Sequence, residues 1–399
     1  MLIELFVTLN VRSSETFTNQ LTMADKQDNS FMSNYDEYLR QGELSKRKKA
    51  LTWATAIGLQ QVDGLQTSEY LHDVAHRNIE GEISSSEAQQ LIASYYEQKS
   101  KHLHKETPDT EEADRATTNI NHILSTATLD FTTHGFKMLH RQIFKGIFKH
   151  AGEFRDYDIS KREWVLQGAS VLYLGNADLQ RALDYDIEQE RLFSYTSLST
   201  DEIVKHITRF VSGLWQIHPF GEGNTRTTAV FTIQYLRSLG FDVDNELFAN
   251  HSWYFRNSLV RANYKSAQVD YEPVFLERFF RNLLLGEQWQ LSNRQLIIGG
   301  ADQVPTKYRS STDQAPTKLD GSLPSPSIIG LVKAMGNNQL KIGEMMDAMG
   351  LKHRPTFRVN YLDPAIKAGF VTMLYPNSPR HPRQRYHLTP KGTILLNNL

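Results

Sequence analysis

Nine consecutive residues, His218-Pro219-Phe220-Gly221-Glu222-Gly223-Asn224-Thr225-Arg226, bring together an imidazole, a carboxylate, two glycines and a guanidinium. Gly221 and Gly223 let backbone N–H groups turn toward a ligand with no side chain in the way. The run opens into a helical pattern, so it presents a helix N-terminus, where unpaired N–H groups and the dipole favour an anion. Arg226 in that first turn opposes the dipole, a placement that makes sense with an anion between them, and its planar fork suits phosphate. Glu222 is a hard oxygen donor beside the same position, and Mg²⁺ is typically held by one or two carboxylates together with substrate phosphates. His218 has a pKa suited to a general base near neutral pH. A positioned phosphate, a metal, an arginine and a base are the parts needed for attack of a hydroxyl on phosphorus.

Two helices must hold this run. Ile203, Ile207, Phe210, Val211, Leu214 and Trp215 recur at helical spacing and predict one amphipathic helix ending near His218. A second is predicted from Arg226, with Ala229, Val230, Ile233 and Leu236 inward and Gly240 as its stop. Residues 183–194 and 271–285 also read as helix. Trp164, Val165 and Leu166, then Val171 to Leu174, flank a turn at Gly168 and predict a β-hairpin.

Several histidines have plainer readings. A histidine closing an apolar helix is usually a cap or core residue, and only the eight residues that follow lift His218 out of that class. His218 and Glu222 are four apart, the spacing of a metal pair on a helix, but Pro219 and Gly221 argue against regular helix there, and no third ligand stands at a known spacing. A zinc hydrolase is therefore set aside. His251, near Trp253, reads as structural, His102 and His104 as solvated, and Trp215 as core.

With 399 residues, 40% hydrophobic and 22% charged, the chain has the composition of a soluble protein of two or three domains. Its net charge of −1 gives no overall pull toward nucleic acid or membrane. It has no cysteine, which excludes disulfides and thiolate metal sites and fits a reducing cytoplasm. No stretch is long enough to span a bilayer, and the short apolar start is not read as a leader. Residues 1–30 read as an extension, 31–124 as a helical region, 125–290 as the domain holding the nine-residue run, and 291–326 as a Pro/Ser/Thr-rich linker.

Residues 327–399 differ in kind, with ten Lys and Arg against three Asp and Glu; a total of −1 and +7 here leave −8 for the rest. Residues 341–350 and 355–368 predict two helices around Gly350, and 370–374 and 384–388 two strands, an order resembling a winged helix. Lys352, Arg354 and Arg358 would start the second helix, and Arg380, Arg383 and Arg385 would lie on the wing, the places where such folds meet DNA. Winged helices also dock proteins, so the fold leaves DNA and protein partners open.

The nine-residue run resembles the signature of the Fic family, His-Pro-Phe-x-Asp/Glu-Gly-Asn-Gly/Lys-Arg, matching at His218, Pro219, Phe220, Glu222, Gly223, Asn224 and Arg226. The likeness extends over about residues 125–287, including Ala151-Gly152-Glu153-Phe154-Arg155 and Tyr254 with Ala262-Asn263. It implies a mainly α fold, a Fic-type helical bundle with a small hairpin flap at 162–175 that holds a target peptide by strand addition. It implies Mg²⁺-dependent transfer of AMP from ATP to a Ser, Thr or Tyr hydroxyl of a target protein. His218 would be the base, Phe220 would pack under the loop, Glu222 would place Mg²⁺, and Gly221, Gly223, Asn224, Thr225 and Arg226 would hold the nucleotide. A homodimer is a further expectation.

Two departures weaken the phosphate clamp. Thr225 replaces the usual Gly or Lys, and Ala229 stands where a second arginine often lies, with Arg237 and Arg256 as substitutes. Transfer of another phosphate-linked group, or a nucleotide-sensing DNA-binding regulator with a weak Fic site, are the alternatives. Residues 71–81 resemble the family's inhibitory helix at Glu80-Gly81, although His76 replaces its Ser or Thr. The plainer reading of Glu80 is a solvated residue before a Gly81 cap.

Overall fold

The computed structural model describes Tyr38 and residues 43–101, 108–126, 128–243, 246–299, 324–376, 378–379 and 381–399. The extension 1–30, His102, His104, Arg380 and most of the linker lie outside the described residues. Helices α1 (Leu44–Gly58), α2 (Glu69–Glu80), α3 (Ser85–Lys101) and α4 (Pro108–Thr126) come first. They are followed by α5 (Thr133–Ile143), α6 (Leu179–Leu192), α7 (Thr200–Ile217), α8 (Asn224–Ser238), the short α9 (Leu247–Asn250), α10 (Ser252–Ala262) and α11 (Val274–Leu285).

Helix α7 forms as its periodicity predicts. Ser199 caps it reciprocally with Glu202, and Ile203, Ile207, Phe210, Val211, Leu214 and Trp215 are all buried. Helix α8 starts at Asn224, two residues before the expected Arg226, because the Asn224 side chain folds back onto Phe220 and closes the preceding turn. Nearly every residue of α8 is buried, so it forms the axis of the central domain, with α5 and α7 packed against it. Helix α11 begins after Pro273, later than predicted, since proline suits a helix start better than its interior.

The central core takes in Ala56 of α1 and Ile120, Ile123 and Leu124 of α4, while Ala249 of α9 joins the N-terminal core around Trp53, Leu71, Ile79 and Tyr96. The N-terminal helices are therefore fused to the central domain across residue 124. Residues 291–299, assigned to the linker, pack on the same domain: Leu296 is buried and its carbonyl accepts from Arg261 at 2.6 Å.

Segment 162–175 forms two irregular arms around a 3₁₀ turn at Trp164–Leu166 instead of a laddered hairpin. The arms meet at the tip, where Glu163 N–H donates to Ala169 at 2.9 Å. Further along, side chains take the carbonyls a ladder would use: Gln216 bonds Leu172 O at 3.1 Å and Arg155 bonds Leu174 O.

The C-terminal unit contains α12 (Pro326–Met335), α13 (Ile342–Ala348), a three-part helix Arg354–Phe357, Arg358–Leu362 and Asp363–Lys367, strands β1 (Val371–Met373) and β2 (Tyr386–Leu388), and a closing helix Pro390–Asn397. The middle helical part widens to a π turn just before Pro364, which has no N–H for the regular ladder. The strands pair antiparallel with Val371 opposite Leu388, and Leu340 bridges Tyr386. The unit is seated on the central domain: Ile394 enters the central core and Asn397 bonds Leu198 O at 3.1 Å. Gly240 and Gly369 meet backbone to backbone, where a Cβ on Gly240 would stand 2.2 Å from Gly369 O.

Candidate functional site

His218 ends α7 in the left-handed conformation, φ 50°, with its N–H on Trp215 O at 3.1 Å. That region costs a non-glycine residue roughly 1–2 kcal/mol, so surrounding contacts must hold it. Arg155 does much of this: its Nε donates to His218 O at 2.8 Å, its Nη1 to Tyr157 O at 2.6 Å, and its own N–H bonds Pro219 O at 2.9 Å. One buried arginine thus ties the turn to the arm ending at Leu174.

The His218 imidazole is 2% exposed, and neither ring nitrogen has a hydrogen-bond partner. Tyr173 lies over it at 4.2 Å between ring centroids, and Trp215 meets it edge-on at 5.4 Å. Burial first, then the positive charge of Lys161, pushes its pKa well below the ordinary value, so the ring is neutral at physiological pH.

The floor of the loop is aromatic. Phe220 is fully buried and stacks on His140 at 3.7 Å, with Phe136 at 5.8 Å. His140 accepts the Gly152 N–H at Nδ1, 2.8 Å, which leaves Nε2–H to donate to Glu222 O at 3.1 Å. Burial holds His140 neutral, its pKa lowered to about 3. Gly223 has φ 72°, and a Cβ there would stand 2.2 Å from the Phe144 ring, so no other residue fits. The Tyr157 hydroxyl lies against the open side of Gly221.

The structure gives the loop residues different roles from one another. Asn224 staples the turn, donating to Phe220 O at 2.7 Å and accepting from Phe220 N at 2.9 Å. Thr225 Oγ1 accepts the Trp215 indole N–H at 3.0 Å. Both side chains are held within the protein by these bonds. Arg226 is 2% exposed and turned toward the N-terminal helices, with Nε 2.8 Å from Asp63, Nη2 2.6 Å from Glu112 and Nη1 3.1 Å from Gln60. A phosphate reaching this guanidinium must displace a carboxylate. Glu222 keeps an exposed side chain at the loop rim.

Residues expected to assist are engaged elsewhere. Arg256 pairs with buried Glu163 at 2.8 Å, and Arg237 bonds Leu124 O at 3.0 Å. Glu80 is not brought to the loop: its carboxylate pairs with Lys46 at 2.7 Å, and Gly81 caps α2 at φ 86°. In the C-terminal unit Arg354 and Arg383 are exposed, Arg358 stands 3.5 Å from Asp363, and Arg385 bonds Gln339 O at 2.7 Å and faces Glu344.

Reading the sequence missed Asp63, Glu112, His140 and Glu163, which come from distant segments, and gave Arg155 and Tyr173 no role of their own. The Ala151–Arg155 stretch was the one signal for Arg155.

Residues 130–236 match the model of the Fic/DOC family, and residues 326–389 match that of the C-terminal domain of Fic-like proteins, filamentation induced by cAMP. No curated protein matches the chain. It is similar to a Fic family protein from Desulfovibrio desulfuricans G20 whose crystal structure is solved, at 18% identity over 92% of this chain and 95% of that one, with a TM-score of 0.36.

Proposed function

From the premise that this chain carries a Fic/DOC family domain, we propose that it transfers AMP from ATP to a Ser, Thr or Tyr hydroxyl of another protein, with His218 as general base. The observation that carries this reading is the buried imidazole with two unpartnered nitrogens at the end of α7, where the glycine-bearing loop begins. A buried polar group without a partner is costly, and a substrate hydroxyl would complete its hydrogen bonding. His218 accepts the hydroxyl proton as the oxygen attacks the α-phosphorus; the new O–P bond forms while the bond to pyrophosphate breaks.

The N-terminus of α8 and the glycine backbone favour the nucleotide phosphates. Arg155, Asn224 and His140 keep the turn in its strained shape, so the donors are preorganised. Among the described residues no three His, Asp or Glu side chains gather to hold an ion. One exposed carboxylate, Glu222, fits Mg²⁺ that arrives with phosphates, where the ion would offset charge on the pyrophosphate. The arm at Leu172 is exposed, and a target laid along it would displace Gln216 from Leu172 O.

ATP labelled at the α- or γ-phosphate tests this. Label on protein from the α position only, lost in His218→Ala, is the expected result. Label from the γ position instead would replace AMP transfer by phosphoryl transfer. A second reading, a nucleotide-sensing regulator whose C-terminal winged helix binds DNA, draws on the exposed Arg354 and Arg383. It predicts DNA binding by the full chain that weakens steeply with salt and with Arg354→Ala.

A further inference from the structure

Most catalytic histidines are oriented by a hydrogen bond to the second ring nitrogen. His218 has none, so its ring must be set by packing. Tyr173 and Trp215 do the packing, and they touch each other edge-on at 5.6 Å. Trp215 is 1% exposed, and its indole N–H is fixed by the hydroxyl of Thr225 at 3.0 Å. This bond closes across the loop, from the last turn of α7 to the first turn of α8. Thr227 and Thr232 on the same helix spend their hydroxyls on carbonyls four residues back, Gly223 O and Thr228 O, whereas the Thr225 hydroxyl meets the indole.

We propose that Thr225 is a positioning residue that sets the orientation of the His218 imidazole through the Trp215 indole. The inference rests on reading His218 as the base. It gives the departure at Thr225 a function: a glycine there would leave the indole N–H without its acceptor, and a lysine would have to accommodate a cation in a buried position.

The test compares Thr225→Val, which keeps the shape and removes the acceptor, with Thr225→Ser, which keeps the acceptor, and Trp215→Phe, which removes the donor. The first readout is the NMR resonance of the His218 ring carbon between its nitrogens, in the full chain without nucleotide. The second is the split of labelling kinetics into kcat and KM for ATP. Thr225→Val and Trp215→Phe should shift the resonance and lower kcat about tenfold with KM within twofold. Thr225→Ser should restore both, and the double variant should be no worse than the more affected single one. An unmoved resonance in Thr225→Val, or a serine that fails to restore it, overturns the proposal. Should Thr225→Val fail to fold, Trp215→Phe with an unshifted resonance overturns it equally. Were the parent chain to transfer nothing, AMP transfer would fall while the resonances still decided the positioning.

Discussion

Arg226 Nη2 lies 2.6 Å from Glu112 Oε1, an ion pair linking the helix after the loop to a helix more than a hundred residues earlier. With Asp63 also on this guanidinium, two carboxylates surround one cation, and the place expected to attract phosphate is already neutralised. Replacing both acids, Asp63→Asn with Glu112→Gln, should tighten ATP binding roughly tenfold, about 1.4 kcal/mol, by calorimetry. Unchanged or weaker binding would remove Arg226 from the phosphate site. The reverse change, Arg226→Ala, removes a buried guanidinium and leaves exposed Asp63 and half-buried Glu112 without their cation, and should destabilise the fold by about 2 kcal/mol in urea unfolding.

Arg155 serves four backbone carbonyls, those of Tyr157, Leu174, Ile217 and His218. Arg155→Met keeps the stem and loses the fork. Because the left-handed turn at His218 depends on these bonds, labelling should fall at least tenfold, and the melting temperature should drop by the equivalent of about 2–3 kcal/mol. Arg155→Lys should restore little, since one ammonium cannot reproduce the planar fork.

His140 ties stability to pH. Its folded pKa, about 3, lies below the ordinary 6.5 of the unfolded chain. As pH falls through 6.5 the unfolded chain takes up a proton that the folded chain refuses until near 3, so stability is lost across that window as pH drops. At pH 5 the loss from this residue alone should be about 2 kcal/mol relative to pH 7. His218 acts in the same direction. His140→Gln should flatten the pH dependence of urea midpoints; an equally steep curve would mean that other groups carry it.

Gly223→Ala should destabilise by about 3 kcal/mol, combining the left-handed backbone with a Cβ 2.2 Å from Phe144. Circular dichroism melting checks the value, and a near-neutral result would show that the Phe144 ring can move aside.

Glu80→Gly should leave labelling unchanged, because the Glu80 carboxylate is engaged by Lys46 on the exposed end of α2. A marked rise in self-labelling would mean that this helix visits the loop in another arrangement.

Spacing along the chain was enough for the local features. Helical periodicity placed α7 and the run into α8, the nine residues from His218 marked the turn between them, and the charge contrast set residues 327–399 apart in composition. Each of these depends on neighbours along the chain, where spacing alone decides which face is buried. The contacts of individual side chains came from long-range packing. Arg226 has the same first-turn position whether it meets a phosphate or Asp63 and Glu112, and only folding of the N-terminal helices onto α8 selects the acids. Thr225 reads as a loop substitution until packing sets its hydroxyl against the Trp215 indole. The arms at 162–175 had strand-like composition, yet Arg155 and Gln216 took their carbonyls. Partners for buried polar groups come from whichever segment the fold brings near, and that long-range choice is not encoded in local spacing.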